Sequence, residues 1–368
     1  MNTIPPLIAL LSLSALLSLF LTPYVGILWH LLCLSDLSPV RRHLYPERIP
    51  RIGGVAIVIA FALSLLATGL LLPELGEFIF THFWTVLIGS MIISITGLVD
   101  DLYSLDFKRK FFMQAVAAAI VVYGGSYRIT FLHLPFMSQP IVLHEWLSVG
   151  LSLIWIIGIC NAINLVDGLD GLAGGVSIIA LFVMLFSSLI NANNSTALIY
   201  AALLGAIFGF LRYNFYPASI FMGDTGALFI GFMFACLSLS PEQATLPVFT
   251  PVPILAMIFP ILDTLLAPMR RLLTGKHPFK ADKLHLHHRL MATFNLSQRE
   301  TTLLIYLFSL IFGIAALALH FSQSAALWLT IIVTLMLCVV CFLILFYGKR
   351  WSTELENRDE QYTSHSRY

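Results

Sequence analysis

Charged side chains are scarce in this sequence. Only 11% of its 368 residues are Asp, Glu, Lys or Arg, whereas a soluble globular domain carries about 25%. Hydrophobic residues make up 59% of the chain, and the mean hydropathy is +0.91. Apolar runs of about 20 residues, the length that crosses a bilayer, recur along the chain. The sequence therefore predicts an all-α, polytopic integral membrane protein and excludes an ordinary soluble domain.

Other kinds of feature are also missing. The five cysteines lie in or beside apolar runs without metal-ligand spacing, so no disulfide framework is indicated. The formal net charge is +1, and no basic cluster is interleaved with aromatic residues, so no nucleic-acid partner is expected. The N-terminal apolar run lacks a basic leader and a clear small-residue cleavage site. We therefore expect it to be a retained first span.

The apolar runs predict a helical bundle with eleven membrane spans, or ten if the short fourth run is not a span. The predicted spans are 5–33, 53–72, 82–99, 111–124, 146–163, 172–190, 197–213, 221–239, 251–268, 301–320 and 324–348. Residues 1–348 then form a single transmembrane catalytic domain, and 349–368 form a polar tail.

Basic residues divide unequally between the two sides of the predicted bundle. The loops after the odd-numbered spans, together with the C-terminal tail, hold 19 of the 20 Lys and Arg residues, and only Arg128 falls on the other side. Because basic loops stay in the cytoplasm, this predicts an external N-terminus and a cytoplasmic C-terminus and tail. The aspartates near span ends collect on the same cytoplasmic face. Its candidate active-site loops are 34–52, 100–110, 161–171, 212–224 and 269–300.

Asp100 and Asp101 stand side by side at the end of the third predicted span, in GLVDDLYSLDFKRK (97–110). Adjacent carboxylates repel each other unless a cation or a shared proton relieves them. The pair indicates either a divalent-metal or phosphate site, or a solvated loop whose charges pair locally.

A second stretch, NAINLVDGLDGLAGG (161–175), carries four polar side chains at intervals of three: Asn161, Asn164, Asp167 and Asp170. On a helix these four would share one face, and carboxylates at a membrane edge are candidate functional groups. The glycines would let the backbone approach a ligand closely. A helix cap explains one aspartate but not all four residues, so this stretch favours a site.

A third stretch is YNFYPASIFMGDTGALFIG (213–231), with Asp224 at the mouth of a predicted span. Mg²⁺ prefers carboxylate oxygens, usually one or two together with substrate phosphates, so Asp224 is either such a ligand or a helix cap. Phe221 could stack on a base or face lipid. Asn214 could contact a base edge or cap the preceding span.

The longest polar stretch is RRLLTGKHPFKADKLHLHHRL (270–290), which places His285, His287 and His288 within five residues. Zinc is disfavoured because an HExxH frame and a nearby cysteine are both missing. Phosphate binding by these histidines together with arginine and lysine fits better. A basic anchoring loop would explain the arginines and lysines but not the histidines.

Together, these stretches offer carboxylates for Mg²⁺, cations for a diphosphate, and amide, glycine and aromatic groups suited to a nucleotide. They predict a membrane-embedded enzyme that acts on a nucleotide-linked diphosphate and a lipid. The main alternative is a secondary transporter. Transporters place acids near the bilayer midplane, often in repeated halves, whereas these acids gather on one face of a chain without an evident repeat.

Five motifs carry a family resemblance, and they occur in order between about residues 40 and 300. They are IPRIGG (49–54), VDDLYSLDFKRK, NAINLVDGLDGLAGG, NFYPASIFMGDTGAL and PFKADKLHLHHRL. The chain resembles the polyprenyl-phosphate N-acetylhexosamine-1-phosphate transferases, and within them the WecA/TagO-like branch. The stretch DKLHLHHRL lacks the proline and the following glutamate of the peptidoglycan branch's histidine motif, which argues against a MurNAc-pentapeptide donor.

The resemblance implies roles for the candidate residues. Asp224 matches the Mg²⁺ ligand, with Mn²⁺ as an alternative metal. Asp100 and Asp101 match paired catalytic acids, one of which deprotonates or positions the lipid phosphate. Asn164 and Asp167 match residues near the diphosphate and sugar of the donor, and Asp167 is also a catalytic candidate.

The remaining matches concern substrate binding. They are Asp170, Asn214 and Phe221 for the uridine; His285, His287 and His288 for the phosphates; and Arg270 or Arg271 for the donor. Ala227 stands where many relatives have serine, which removes a hydroxyl. The family also has a basic residue in the first loop that contacts the donor, and the resemblance does not decide which of Arg42, His43, Arg48 and Arg51 matches it.

The implied reaction takes place in the bacterial inner membrane, on its cytoplasmic face. A phosphate oxygen of undecaprenyl phosphate attacks the β-phosphorus of UDP-GlcNAc, UMP leaves, and undecaprenyl-diphosphate-GlcNAc remains in the bilayer. This would be the first membrane step of a surface polysaccharide such as O-antigen or a cell-wall polymer. GalNAc, QuiNAc, FucNAc or MurNAc-pentapeptide donors are alternatives, as is a two-step route through a phospho-aspartate on Asp101 or Asp167. A homodimer is also left open.

Overall fold

The computed structural model describes residues 4–34, 49–125, 127–132, 141–240, 251–273, 285–318 and 321. Most of these residues are helical. The helices are α1 (Ile4–Leu34), α2 (Gly54–Leu71), α3 (Pro73–Phe78), α4 (Trp84–Tyr103), α5 (Phe107–Ala119), α6 (Glu145–Val166), α7 (Leu172–Ile190), α8 (Asn194–Asn214), α9 (Gly223–Leu237), α10 (Pro251–Ala256), α11 (Ile258–Leu273), α12 (Leu286–Phe294) and α13 (Gln298–Ala318). Two short strands, β1 (Phe131–Leu132) and β2 (Ile141–Val142), pair antiparallel. The predicted all-α polytopic membrane class is confirmed.

Seven stretches of the described residues are long and apolar enough to cross a bilayer. They are Ile4–Trp29, Gly54–Leu71, Pro73–Tyr103, Glu145–Val166, Leu172–Ile190, Asn194–Asn214 and Gln298–Ala318. Each corresponds to a predicted span. The third is longer than predicted, because α3 continues through a π-helical turn at Ile79–Phe83 into α4.

Three further predicted spans lie in shorter or interrupted helices. The fourth corresponds to α5 and a π-helical turn, the eighth to α9, and the ninth is divided at Met257 into α10 and α11. The eleventh, 324–348, lies outside the described residues, as does the tail 349–368. The orientation of the termini remains a prediction.

The centre of the bundle is formed by α8 and α9, in which most side chains are buried. Glycines allow α9 to approach its neighbours backbone to backbone. A Cβ added at Gly54 would lie 2.1 Å from the amide nitrogen of Gly226, and one at Gly97 would lie 2.5 Å from the Cα of Thr225. As a result, α2, α4 and α9 meet tightly near the first turn of α9.

Backbone hydrogen bonds join the segment before α2 to the segment before α9. The amide of Phe221 donates to the carbonyl of Pro50 (2.7 Å), that of Gly53 donates to Phe221 (3.0 Å), and that of Gly54 donates to Met222 (2.8 Å). This pairing brings the motif at 49–54 beside the Asp224 turn, although the two are far apart in the chain.

Candidate active site

A cavity of about 370 Å³ opens where the ends of α4, α6, α8 and α9 meet. Six residues predicted from the sequence line it: Asp101, Asp167, Asp170, Asn214, Phe221 and Asp224. Its other lining residues are Arg51, Gly168, Leu169 and Gly223. Three of the four predicted stretches therefore contribute side chains to one cavity.

Asp101 uses its carboxylate to hold the start of α9. Its Oδ1 accepts the amide of Asp224 (2.8 Å), and its Oδ2 accepts the amide (3.0 Å) and the hydroxyl (2.6 Å) of Thr225. The first amides of a helix lack partners within the helix, so Asp101 caps α9 from another helix. The turn before it needs Gly223, which has a φ of +69° and packs against the carbonyl of Arg51.

Asp100 and Asp224 share one cation. The ammonium of Lys110 contacts Oδ2 of Asp100 at 2.9 Å and also pairs with Oδ2 of Asp224. The other carboxylate oxygen of Asp224, Oδ1, accepts a hydrogen bond from the side-chain amide of Asn164 (3.0 Å). Lys110 reaches these carboxylates because α4 ends at Tyr103, Ser104 follows in a left-handed conformation (φ 54°), and the chain turns back into α5.

Lys110 was not singled out among the predicted site residues. Burial lowers its pKa, but the carboxylates of Asp224 and Asp100 outweigh that effect, and the net result is a raised pKa. The lysine is therefore held as a cation. The sequence signal that points to it is the basic run that follows the paired aspartates, where Lys108 and Arg109 are exposed and only Lys110 turns inward.

The oxygens around Lys110 fit a hard divalent cation. Asp224 and Asp100 supply carboxylates, and the ammonium that lies between them is a cation standing where a metal would bind. Within the described part of the chain, no group of three or more His, Cys, Asp or Glu side chains forms a complete metal cage. Mg²⁺ commonly takes only one or two carboxylates and completes its shell with water and substrate phosphates, so this donor set suits it.

The expectation that four residues between 161 and 170 share a helical face is wrong. Helix α6 ends at Val166, and Asp167 follows it with a ψ of 49°, so the chain enters a turn before Asp170. The two asparagines also have different partners. Asn161 exchanges amide hydrogen bonds with Gln114 (2.6 and 3.3 Å), whereas Asn164 reaches Asp224.

The turn between α6 and α7 presents two aspartates to the cavity. Asp170 accepts the amide of Ala218 (2.9 Å), which ties this turn to the segment before α9. Gly171 has a φ of +73°, and its carbonyl accepts the hydroxyl of Tyr306 (2.5 Å). These contacts fix the backbone of the turn from two sides.

Asp167 titrates far above the ordinary range of a carboxyl group. Burial raises its pKa to about 7, with added repulsion from Asp224, Asp101 and Asp170. Its side chain still reaches the cavity. A bound cation or a donor group that offers hydrogen bonds would restore its charge at neutral pH.

Asn214 and Phe221 form another part of the cavity wall. The amide nitrogen of Asn214 donates to the carbonyl of Ile220 (3.0 Å), and its Oδ1 is buried without a hydrogen-bond partner. That free acceptor suits the N–H of a base edge. Phe221 is half-buried and lines the cavity, which favours the stacking interpretation over a purely lipid-facing one.

The histidines gather around a buried carboxylate in α11. Asp263, which is 2% exposed, accepts the amide of Leu286 (2.7 Å), and its Oδ2 lies 3.3 Å from Nδ1 of His285 and 3.8 Å from Nδ1 of His287. Asp263 was not predicted as a site residue. The signal that could have found it is a single carboxylate inside the predicted span 251–268.

His287 connects this cluster to the cavity wall. A Cβ added at Gly168 would lie 2.6 Å from its Nε2, so the imidazole packs directly on the turn between Asp167 and Asp170. The ring of His288 lies 4.3 Å from that of His287. Burial, followed by the proximity of the other two histidines, lowers the pKa of His288.

Some predicted contacts fall outside what is described. The side chains of Arg270 and Arg271 are not described, and neither are Arg42, His43 and Arg48. Among the four first-loop candidates, Arg51 is the one in the described part of the chain, and it lines the cavity. Ala227 is fully buried within α9 and is not among the cavity residues, so a missing hydroxyl there does not alter the cavity wall.

Comparison with known proteins agrees with the resemblance. The model for glycosyl transferase family 4 matches residues 83–242. A protein of Bacillus subtilis named probable undecaprenyl-phosphate N-acetylglucosaminyl 1-phosphate transferase is 38% identical over 304 residues, which are 82% of this chain and 81% of the relative. A decaprenyl-phosphate N-acetylglucosaminephosphotransferase of Mycolicibacterium smegmatis is 34% identical over 329 residues, 83% of this chain and 80% of the relative.

A more distant branch is also detectable. A phospho-N-acetylmuramoyl-pentapeptide-transferase of Staphylococcus aureus is 30% identical over 262 residues, 68% of this chain and 79% of the relative. The family match between 83 and 242 contains every aspartate that lines the cavity. The relatives match most of the length of the chain, including its cavity. The chain thus belongs to the polyprenyl-phosphate N-acetylhexosamine-1-phosphate transferases, in their WecA/TagO-like branch.

Proposed function

We propose that this protein transfers N-acetylglucosamine 1-phosphate from UDP-GlcNAc to undecaprenyl phosphate, with release of UMP. The observation that carries the proposal is one cavity whose wall includes both the cation position at Asp224 and the amide and aromatic side chains of Asn214 and Phe221. A nucleotide diphosphate needs both features at once. The names of the relatives from Bacillus subtilis and Mycolicibacterium smegmatis support GlcNAc as the sugar.

Mg²⁺, with Mn²⁺ as the alternative, is the cofactor of this proposal. Asp224 would hold it, with Asp100 beside it and Lys110 displaced. When bound, the metal would neutralise negative charge on the phosphates of the donor. Asn164 orients Asp224 through its amide hydrogen bond. Arg51, on the cavity wall, adds a further positive charge for the donor.

The lipid acceptor is expected to arrive along α4 and α5. Large apolar side chains on this side are exposed, including Tyr103, Phe107 and Phe112. The polar end of the same hairpin carries Asp100 and Lys110, so a lipid that lies against the apolar side would present its phosphate to the cation position. Lys110 can then pair with the phosphate of the acceptor.

The geometry favours direct transfer over a covalent route through Asp101. An acceptor phosphate oxygen forms a bond to the β-phosphorus, the bond between that phosphorus and the bridging oxygen breaks, and UMP takes the electron pair. Asp101 already accepts three hydrogen bonds from the start of α9. Attack by this carboxylate would break that cap, which makes it a poor nucleophile.

A donor panel tests the proposal. The purified protein in nanodiscs with undecaprenyl phosphate and Mg²⁺ is given UDP-GlcNAc, UDP-GalNAc, UDP-QuiNAc, UDP-FucNAc or UDP-MurNAc-pentapeptide. We expect UMP release and a lipid product whose mass equals undecaprenyl-diphosphate-GlcNAc. A product from another donor alone would change the sugar, and solute flux without any lipid-linked product would favour the transporter alternative.

Cellular placement belongs to the same proposal. The enzyme would act at the cytoplasmic face of the bacterial inner membrane, in the first membrane step of a surface polysaccharide such as O-antigen or a cell-wall polymer. Asp106 is exposed on the site side of the bundle. A cysteine placed there by Asp106→Cys in a background without native cysteines should react with a membrane-impermeant maleimide in inverted vesicles but not in intact spheroplasts. The reverse labelling would overturn the orientation.

A further inference from the structure

Asp263 is a buried carboxylate that the proposed reaction does not use directly. It is 2% exposed and lies in α11, outside the cavity lining. A charge in such a position is costly unless neighbouring groups compensate it. The groups around Asp263 should therefore show how its charge is compensated and what role it has.

One oxygen of Asp263 has a structural explanation. Oδ1 accepts the amide of Leu286 at 2.7 Å and so holds the first turn of α12 against α11. Oδ2 makes no hydrogen bond and instead faces Nδ1 of both His285 and His287, at 3.3 and 3.8 Å. A helix cap alone would not require this second oxygen to face two imidazoles.

The two imidazoles are held in a common orientation. Their ring planes differ by 4°, their centroids are 5.7 Å apart, and both rings turn the Nδ1 edge to the same carboxylate oxygen. His287 is 1% exposed, and neither of its nitrogens has a hydrogen-bond partner. Its Nε2 edge packs on Gly168, which lines the cavity between Asp167 and Asp170.

We propose that Asp263 is a positioning residue, which orients His287 through its Nδ1 edge so that Nε2 serves the UDP-sugar at the Gly168 turn. The inference rests on the proposed function. A carboxylate behind an imidazole fixes the tautomer and the orientation of the ring. With Asp263 at its Nδ1 edge, His287 keeps its Nε2 edge on the Gly168 turn, beside the place where the donor diphosphate would lie.

The test is a double-mutant cycle between Asp263→Asn and His287→Ala. Asparagine keeps an oxygen for the amide of Leu286 but removes the charge that faces the imidazoles. We expect Asp263→Asn alone to lower kcat/KM for UDP-GlcNAc by about ten- to a hundredfold, as second-layer partners of histidine do. The KM for undecaprenyl phosphate should stay unchanged. In the His287→Ala background the same substitution should have little further effect, because the group it orients is gone.

Thr264→Val is the matched control on the same helix. The hydroxyl of Thr264 donates only within α11, to the carbonyl of Pro260 at 2.9 Å. This variant should retain the kinetic constants of the wild type. If Asp263→Asn does not fold, Asp263→Glu supports the same cycle, because it keeps the charge but moves the carboxylate by one methylene.

Each outcome bears on the inference. Additive losses, or an Asp263→Asn enzyme as active as the wild type, would overturn it while leaving the proposed function intact. A wild-type enzyme that releases no UMP from any UDP-sugar would overturn the proposed function, and this inference would fall with it. An equal rise in the KM for both substrates would indicate a general structural role for Asp263 and would also contradict the inference.

Discussion

Lys110 pairs with Asp224 across 114 residues of sequence, and the pair lies at the mouth of the candidate site. The same ammonium is 2.9 Å from Asp100. Two carboxylates that would otherwise repel are thus held together by a cation that belongs to the chain. A divalent metal entering between them must compete with that cation.

Replacing Lys110 should therefore tighten metal binding. In Lys110→Gln, we expect the Mg²⁺ concentration that half-saturates thermal stabilisation to fall about tenfold, equivalent to ~1.4 kcal/mol. The metal-free variant should also melt at a lower temperature than the wild type, because Asp100 and Asp224 then face each other without a cation. The measurement is the melting temperature in detergent across a Mg²⁺ titration, since a ligand that binds the folded state raises it.

Lys108→Gln is the control for this experiment, because Lys108 is exposed on the same helix. It should leave the titration curve where the wild type has it. A Lys110→Gln variant that binds Mg²⁺ more weakly would show that the lysine supports the metal instead of competing with it.

Asp224→Asn should abolish metal-dependent transfer. The amide would keep the hydrogen-bonding shape but lose the charge that holds the cation, and we expect the rate of Mg²⁺-dependent UMP release to fall about a hundredfold or more. Asp106→Asn removes an exposed aspartate nearby and should remain close to the wild-type rate. An Asp224→Asn enzyme with near-normal, Mg²⁺-dependent activity would contradict the metal assignment.

Asp167 should make the stability of the metal-free protein depend on pH. In the unfolded chain its carboxyl titrates near 3.8, whereas in the fold its pKa is about 7. Between these values the folded state holds one more proton than the unfolded state, so stability falls as the pH rises through this range. Relative to the wild type, Asp167→Asn should therefore gain in melting temperature as the pH rises from about 4 to about 7.

The same variant should lose activity, since Asp167 lines the cavity. A gain in stability with a loss of function is expected where a site keeps a costly charge. Asp106→Asn should follow the wild-type pH profile and is again the control. If the melting curves of Asp167→Asn and the wild type run parallel across the pH range, the raised pKa is contradicted.

Phe221→Leu tests the nucleotide end of the cavity. Loss of stacking against a base costs about 1–3 kcal/mol. The KM for UDP-GlcNAc should therefore rise by about five- to 150-fold, with the KM for undecaprenyl phosphate unchanged. Phe208→Leu, at a position 60% exposed on α8, provides the control. If Phe221→Leu raised only the KM for the lipid, Phe221 would belong to the acceptor side.

The residue pattern predicted the broad architecture well. The predicted span 172–190 coincides with α7, and 197–213 lies within α8, because long apolar runs bounded by polar turns leave few alternatives in a bilayer. The convergence of Asp101, Asp170 and Asp224 on one cavity also followed from the sequence, since all three were placed at span ends on one side.

The finer geometry was less accessible from sequence. A spacing of three suggested one helical face, but α6 ends at Val166, before Asp167 and Asp170, and no periodicity shows where a helix stops. Lys110 and Asp263 were missed for a related reason. Lys110 acquires its role from Asp224, and Asp263 acquires its role from His285 and His287. A single sequence does not show which separate segments come into contact.

The hydrogen bonds of Asp101 affect how substitutions in the site should be interpreted. Two neighbouring aspartates that look equivalent in the chain have separate tasks, since Asp100 faces a cation and Asp101 supports the helix from which Asp224 projects. An inactive Asp101 variant would therefore report on the assembly of the proposed metal position as much as on chemistry. Alanine scanning alone would not distinguish a reacting group at Asp101 from a residue that only holds the helix carrying Asp224 in place.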